Sequence, residues 1–199
     1  MLDRGLRVSL LALISSALVC ACVPYQLDGS RVEIGVPPER IVLEGYSFVP
    51  LNEDGWVRTL KGRARISLER RGTYPDEVRQ INAIAGNQNA APPATSAEWV
   101  RVVKEGFAAR ENLLEYDVMP YPMGNVECIK IYRLSRANTK AEDMLRESLG
   151  ISCVHPASQD RTVTVSVFYL AQFHGPGGRD PQFLEKAQSV FGSVLITAP

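Results

Sequence analysis

Two histidines and four cysteines carry most of the reactive side-chain chemistry open to this chain. His155 and His174 each fall at the end of a strand-like run or in a loop, with Asp160 and Asp180 near them in sequence. Their spacing matches no known metal-ligand pattern, so exposed loop histidines are the plain reading. A small site joining the two histidines, serving hydrolysis or ligand binding, is the sharper one. No serine stands in a Gly-x-Ser-x-Gly turn. Gly175-Pro176-Gly177-Gly178 lacks the Lys and Ser/Thr of a phosphate loop and reads as a mobile turn. Carboxylate pairs such as Glu111 with Glu115, or Asp117 with Glu127, occur in any chain and carry no reading alone. The residues therefore point to no catalytic centre, no cofactor and no metal.

The cysteines divide by position. Cys20 and Cys22 lie in the first segment, Cys128 and Cys153 far beyond it. An even pair in an exported chain reads as a disulfide. Closing a loop of about 25 residues stabilises a fold by roughly 3–3.5 kcal/mol in the chain-entropy account. Two buried free thiols are the alternative. A metal pair is poorly served, because there is no Cys-x-x-Cys and no nearby histidine pattern.

The first segment decides the compartment. Met1–Cys22 has a short basic start at Arg4 and Arg7, an apolar run to Val19, and a small residue before a cysteine, Ala21-Cys22. That is the layout of a secretory signal. The apolar run is short for a membrane span, which needs about 20 apolar residues. Cleavage after Val19-Cys20-Ala21 to a free secreted product is a second reading. Val19, Ala21 and Cys22 also resemble the lipobox of bacterial lipoproteins, with an aliphatic residue three before the cysteine and a small one directly before it. The resemblance implies cleavage after residue 21 and a diacylglycerol on the Cys22 sulfur. It also implies an N-acyl chain, typically palmitate. Several chains anchor firmly where a single chain binds only marginally, at ~0.8 kcal/mol per buried CH₂. Val23 is not the Asp that marks inner-membrane retention in this class, so the outer membrane facing the periplasm is the expected place.

Composition excludes little beyond nucleic-acid binding. The 199 residues are 45% hydrophobic and 22% charged, ordinary for a globular chain with a sizeable core. Losing Arg4, Arg7 and Asp3 from 22 basic and 22 acidic residues leaves one acid in excess, whereas nucleic-acid binders are basic on one face. The densest basic stretch is Arg58, Lys61, Arg63, Arg65, Arg70 and Arg71. It reads either as a solvated strand face balanced by acids or as a surface for anionic lipid or cell-wall polymer.

The elements that must position these residues are mostly strands. Pro24, Gly29, Gly35, Pro37 and Pro38 make residues 22–39 a tether, with Arg31–Val36 a weak edge strand. Ile41–Leu51 and Trp56–Leu60 flank Asp54-Gly55 and predict a hairpin. Arg63–Arg70 alternates with Ala64, Ile66 and Leu68 inward, and Val78–Ala85 follows as a strand. Gly86–Ala94 is loop. Thr95 and Glu98 form a capping box before Trp99, Val102, Val103 and Phe107, which predicts a helix; a hairpin at 99–107 is the alternative. Leu113–Met119 and Val126–Leu134 are strands. Ala141, Leu145 and Leu149, then Gly150, predict a helix over Thr139–Leu149, with a short strand Ile151–Val154 after it. Thr162–Phe173 has the clearest alternation and should be central. Asp180-Pro181 should cap a last helix with Phe183, Ala187, Val190, Phe191 and Val194 on one face. The indole of Trp56 is expected against that helix, near Val190 or Phe191.

Gly45-Tyr46-Ser47-Phe48-Val49-Pro50 followed by Gly55-Trp56 resembles the opening hairpin of PsbP-like domains. Val163–Phe173, then Asp180-Pro181-Gln182-Phe183 and a closing helix with Ser193, resembles uncharacterised bacterial lipoproteins of that type. The resemblance implies an α+β fold, an antiparallel β-sheet packed with two to three helices, as one domain over residues 40–199. It carries no catalytic residues and implies a non-enzymatic accessory that binds another envelope protein.

Overall fold

The computed structural model describes residues 30–74, 76–88, 90–137 and 143–197. The alternating runs become strands: β1 Val32–Glu33, β2 Ile41–Leu43, β3 Tyr46–Phe48, β4 Val57–Lys61, β5 Arg65–Arg71 and β6 Val78–Asn87. The helix α1, Ser96–Ala108, leads to β7 Leu113–Pro120, β8 Cys128–Arg136, β9 Met144–Val154 and β10 Val163–His174. The chain closes with α2 Phe183–Gly192 and β11 Leu195–Ile196. Eight strands form one antiparallel sheet in the order β1-β4-β5-β6-β10-β9-β8-β7. It consists of two meanders, β4-β5-β6 and β7-β8-β9-β10, that meet where β6 pairs with β10. A small second sheet has the order β11-β3-β2. This is the α+β class, with β10 central as its alternation predicted.

The two faces of the large sheet differ. On the inner face Ile66, Leu68, Ile81, Leu149, Ile151, Val165, Val167 and Tyr169 are buried under the small sheet and α2. Phe183, Ala187, Val190 and Phe191 give α2 the apolar face that its spacing predicted. Large side chains buried this fully contribute about 1.5–3 kcal/mol each. Arg79, Lys186 and Asp180 tie the start of α2 to β6, with Arg79 3.1 Å and Lys186 2.9 Å from Asp180 Oδ2. On the outer face α1 covers only one end, setting Trp99 and Phe107 against Val118, Ile129, Ile131 and Val154. The rest of that face is polar: Ser67 donates to Asn82 Oδ1 at 2.7 Å, and Ser152 and Ser166 share a bond of 2.9 Å.

Several expectations hold in detail. Thr95 caps α1, its side chain accepting from Glu98 N–H, so residues 99–107 are helix and not hairpin. Val32–Glu33 is the edge strand expected in Arg31–Val36, paired with β4. Trp56 is fully buried, 6.5 Å from the Tyr169 ring, and Tyr169 lies 5.1 Å from Phe183 of α2. The expectation for the indole is met only in part: Trp56 shares one core cluster with Val190 and Phe191, but its ring contact is with Tyr169 of β10, which in turn packs on Phe183 of α2.

Others need correction. Ile41–Leu51 and Trp56–Leu60 are not a hairpin: β3 joins the small sheet, while β4 joins the large one. Asp54-Gly55 turns the chain from one layer to the other. The run Ile41–Leu51 folds on itself at Glu44-Gly45, where Gly45 has φ +83°, a conformation that costs glycine nothing. The helix expected at Thr139–Leu149 is absent from its described part; residues 139–142 lie outside the described residues, and Met144–Leu149 belongs to β9. β9 lies between β8 and β10 and is buried on both faces, which removes the alternation that marks a strand. Gly150 is accordingly mid-strand, not a helix end. Pro181 lies in the turn before α2, and Asp180 Oδ1 accepts from Gln182 N–H at 2.9 Å.

Candidate functional site

A largely apolar cavity lies where the two sheets part, with a volume of about 360 Å³. The turn Glu44-Gly45, the start of β5 at Ala64, the end of β6 at Ala85-Gly86, and the β9–β10 turn at His155 and Ser158 line it. His155 is nearly buried, at 6% exposure. Its Nδ1 accepts a bond from Ala157 N–H at 3.2 Å, which assigns the proton of the neutral ring to Nε2. That nitrogen faces Gly45, where an added Cβ would stand only 2.6 Å away. Glycine is therefore needed here twice, for its positive φ and for the close approach of the ring.

The turn that carries His155 is held by its own side chains. Ser158 Oγ donates to Asp160 Oδ1 at 2.9 Å and accepts from Val163 N–H at 3.0 Å. Asp160 also accepts from Thr162 N–H and its hydroxyl, and these bonds hold its carboxyl below the usual range. Arg161 adopts φ 61° and donates to Glu127 Oε2 at 2.6 Å and to Pro93 O at 2.8 Å, tying the turn to the start of β8 and to the loop before α1. The Ser158 hydroxyl is thus engaged within the turn rather than with the His155 ring, while Ser158 N–H donates to His155 O at 2.9 Å. The His155 imidazole lines the cavity with its Nε2 against Gly45, and no nucleophilic side chain among the described residues is bonded to it.

His174 lies at the far end of β10. The two histidines are separated by the length of that twelve-residue strand, more than about 30 Å at ~3.3 Å per residue. A site joining them does not form, because His155 follows β9 beside the start of β10, whereas His174 stands at the opposite end of β10, across from Met144. His174 is bound instead by two carboxylates, Nε2 to Asp76 Oδ2 at 2.9 Å and Nδ1 to Asp143 Oδ1 at 3.1 Å. These bonds, Asp76 first, push its pKa up. Among the described residues no group of His, Cys, Asp and Glu is arranged to hold a metal ion.

Cys128 and Cys153 stand directly opposite each other on β8 and β9 and are joined by a disulfide, with Cα atoms 4.0 Å apart. Both are fully buried on the inner face. Cys22 and the rest of the first 29 residues lie outside the described residues. Among the described residues no helix is long and apolar enough to cross a membrane.

No family model matches this chain. No curated protein matches it either. Among solved structures, LpqN, described as involved in cell envelope biogenesis of Mycobacterium tuberculosis, aligns with a TM-score of 0.46 at 13% identity, over 86% of this chain and 92% of its own. A structure from Bacteroides thetaiotaomicron VPI-5482 aligns with a TM-score of 0.30 at 13% identity, over 85% of this chain and 49% of its own. Neither value transfers a role.

Half of the basic stretch singled out in the sequence is paired with acids. Arg63 lies 3.4 Å from Glu44, Arg70 2.7 Å from Glu53, and Arg71 4.0 Å from Glu69. The solvated, balanced reading describes it, with Lys61 and Arg65 the exposed exceptions. Sequence reasoning missed the cavity because its wall, Gly45, is hidden inside a run that reads as one strand. A glycine within such a run is the signal that would have exposed the turn.

Proposed function

We propose that this chain is a bacterial envelope lipoprotein, held on the membrane through Cys22 and presenting a non-enzymatic, partner-binding domain. The observation that carries this reading is the buried cross-strand disulfide Cys128–Cys153 in a chain that starts with a basic, then apolar, then Ala21-Cys22 segment. Disulfides persist in oxidising compartments, and the leader is the device that delivers a chain there. The PsbP-like resemblance of the two ends supports an accessory role, and the outer membrane facing the periplasm is the expected location. The partner is another envelope protein, and no nucleic acid is involved.

The cavity at His155 favours a second reading, in which the same domain also takes a small apolar ligand with one hydrogen-bond acceptor against Nε2. The Cys22→Ser variant tests the first reading. Loss of membrane attachment or blocked processing is expected, whereas normal cleavage with unchanged attachment contradicts it. Capture of one envelope protein by the tagged wild type, and not by a Cys22→Ser form left in solution, would extend it.

A further inference from the structure

Many of the described arginines have a carboxylate partner: Arg31, Arg63, Arg70, Arg71, Arg79, Arg101, Arg161 and Arg179 all have one within 4.0 Å. Arg40, Arg65, Arg110, Arg133, Arg136 and Arg146 have none among the described residues, and of these Arg110, Arg133 and Arg146 gather at one place. Arg133 is on β8 and Arg146 on β9, and the register sets Arg133 opposite Ser148 and Ser135 opposite Arg146, all on the outer face. Arg110 follows the end of α1.

Arg133 lies within cation–π distance of two rings. Its guanidinium carbon lies 5.7 Å from the Phe107 ring of α1 and 5.5 Å from the Phe168 ring of β10. Arg110 stacks on the same Phe107 at 5.3 Å. Phe168 can reach across β9 to Arg133 because its register partner is Gly150; any Cβ there would overlap the ring. Arg133 spends its Nε on Ser148 Oγ, at 3.2 Å. Both terminal nitrogens of its fork stay unbonded among the described residues, and Arg146 spends one nitrogen on Gln172 at 3.0 Å. Burial, then the charges of Arg110 and Arg146, holds the Arg133 guanidinium below its ordinary pKa. Three cations are thus set against one another, with free donors and no acid between them among the described residues.

A planar fork fixed in orientation, flanked by two more, suits a tetrahedral oxyanion that accepts from several directions. We propose that the outer face over β8 and β9 is a phosphate-binding site, with Arg133 as its fixed donor and Arg110 and Arg146 as its flanking charges. The phosphate is either that of a soluble phosphorylated compound or that of a phospholipid headgroup. The site stands independently of the anchor at Cys22.

Calorimetric titration of the full chain in neutral detergent tests this with two probes: glycerol 3-phosphate, and detergent micelles doped with phosphatidylglycerol. Saturable binding of both identifies a site indifferent to what bears the phosphate, and saturable binding of the micelles alone assigns it to the headgroup. Replacing the exposed pair, Arg110→Gln with Arg146→Gln, should weaken binding by about tenfold or more, as loss of hydrogen bonds from charged groups does. Arg133→Lys, which keeps the charge and loses the fork, should also weaken it. Lys61→Gln with Arg65→Gln makes the same change of charge elsewhere and should leave binding intact. Equal weakening by that control pair, no saturable binding of either probe, or tighter binding of a glutamate-rich peptide than of both probes would overturn the proposal.

Discussion

β8 and β9 carry two arginine environments back to back, and they obey opposite rules. On the inner face Glu147 is fully buried; Arg179 Nε donates to both its oxygens at 3.1 Å, and Tyr132 O–H donates at 3.0 Å. There the charge is closed, both oxygens are bonded, and the pair pulls the turn before α2 onto the sheet. On the outer face Arg133 is half-buried beside two other cations and is held by aromatic rings rather than by an acid. A charge sealed in the core must be paired, because desolvation without a partner costs several kcal/mol. A charge under open solvent can stay unpaired, at a cost that a bound anion would relieve. The inner pair therefore serves the fold, and the outer trio is free to serve a ligand.

Breaking the inner side should have the largest effects. Cys128→Ala with Cys153→Ala removes a cross-link over 25 residues and should cost about 3.5 kcal/mol in the chain-entropy account, read by urea unfolding. Protease cutting near residues 137–152 should rise with it. Thiol titration of the unfolded, unreduced wild type should find neither Cys128 nor Cys153 free. Arg179→Met should cost about 3 kcal/mol, since it strands a buried carboxylate with one phenol for company. Glu147→Leu added to it should recover much of that loss, which separates a lost pair from lost packing.

The outer side should respond far less. Arg133→Met should change stability by no more than about 1 kcal/mol, because relief of the repulsion from Arg110 and Arg146 offsets the missing cation–π attraction. A loss comparable to that of Arg179→Met would show that the outer trio is structural and erase the contrast.

The smallest effect belongs to His174, in its exposed bridge to Asp76 and Asp143. Its pKa is raised in the fold, so its contribution is complete below the unfolded imidazole value and fades as pH rises through the folded one. Asp76 is held low, chiefly by the bond from His174, so its share is present above the ordinary carboxylate range and is lost as pH falls. His174→Gln should therefore flatten the decline of melting temperature as pH rises above the ordinary imidazole value of about 6.5. An unchanged slope would remove the bridge from the account.

Local signals are legible in this sequence and tertiary ones are not. Thr95 and Glu98 announce α1 because a cap is a contact between near neighbours. Cys128 and Cys153 can be paired by compartment and count, without knowing the register that sets them opposite. Met144–Val154 misleads because a strand buried on both sides loses its alternation, and Leu145 and Leu149 happen to fall at helical spacing. Gly150 looks like a helix stop, yet its place is decided by the ring of Phe168, distant in the chain. The trio is out of reach for the same reason. Arg110, Arg133 and Arg146 look like any other arginines until the fold brings these three together without an acid among them. The clustered basic run around Arg63 draws attention instead, and the fold supplies half of it with carboxylates.

The most direct test compares melting temperatures in chloride and in phosphate at equal ionic strength and pH, for the wild type and for Arg110→Gln with Arg146→Gln. Phosphate salts stabilise most proteins by exclusion from the surface, so only the difference between the two proteins counts. A ligand bound by the native state alone adds stability as its concentration passes its dissociation constant. The wild type should gain more from phosphate than the double variant does, and the excess should saturate. Equal gains in the two proteins at every concentration would contradict the account.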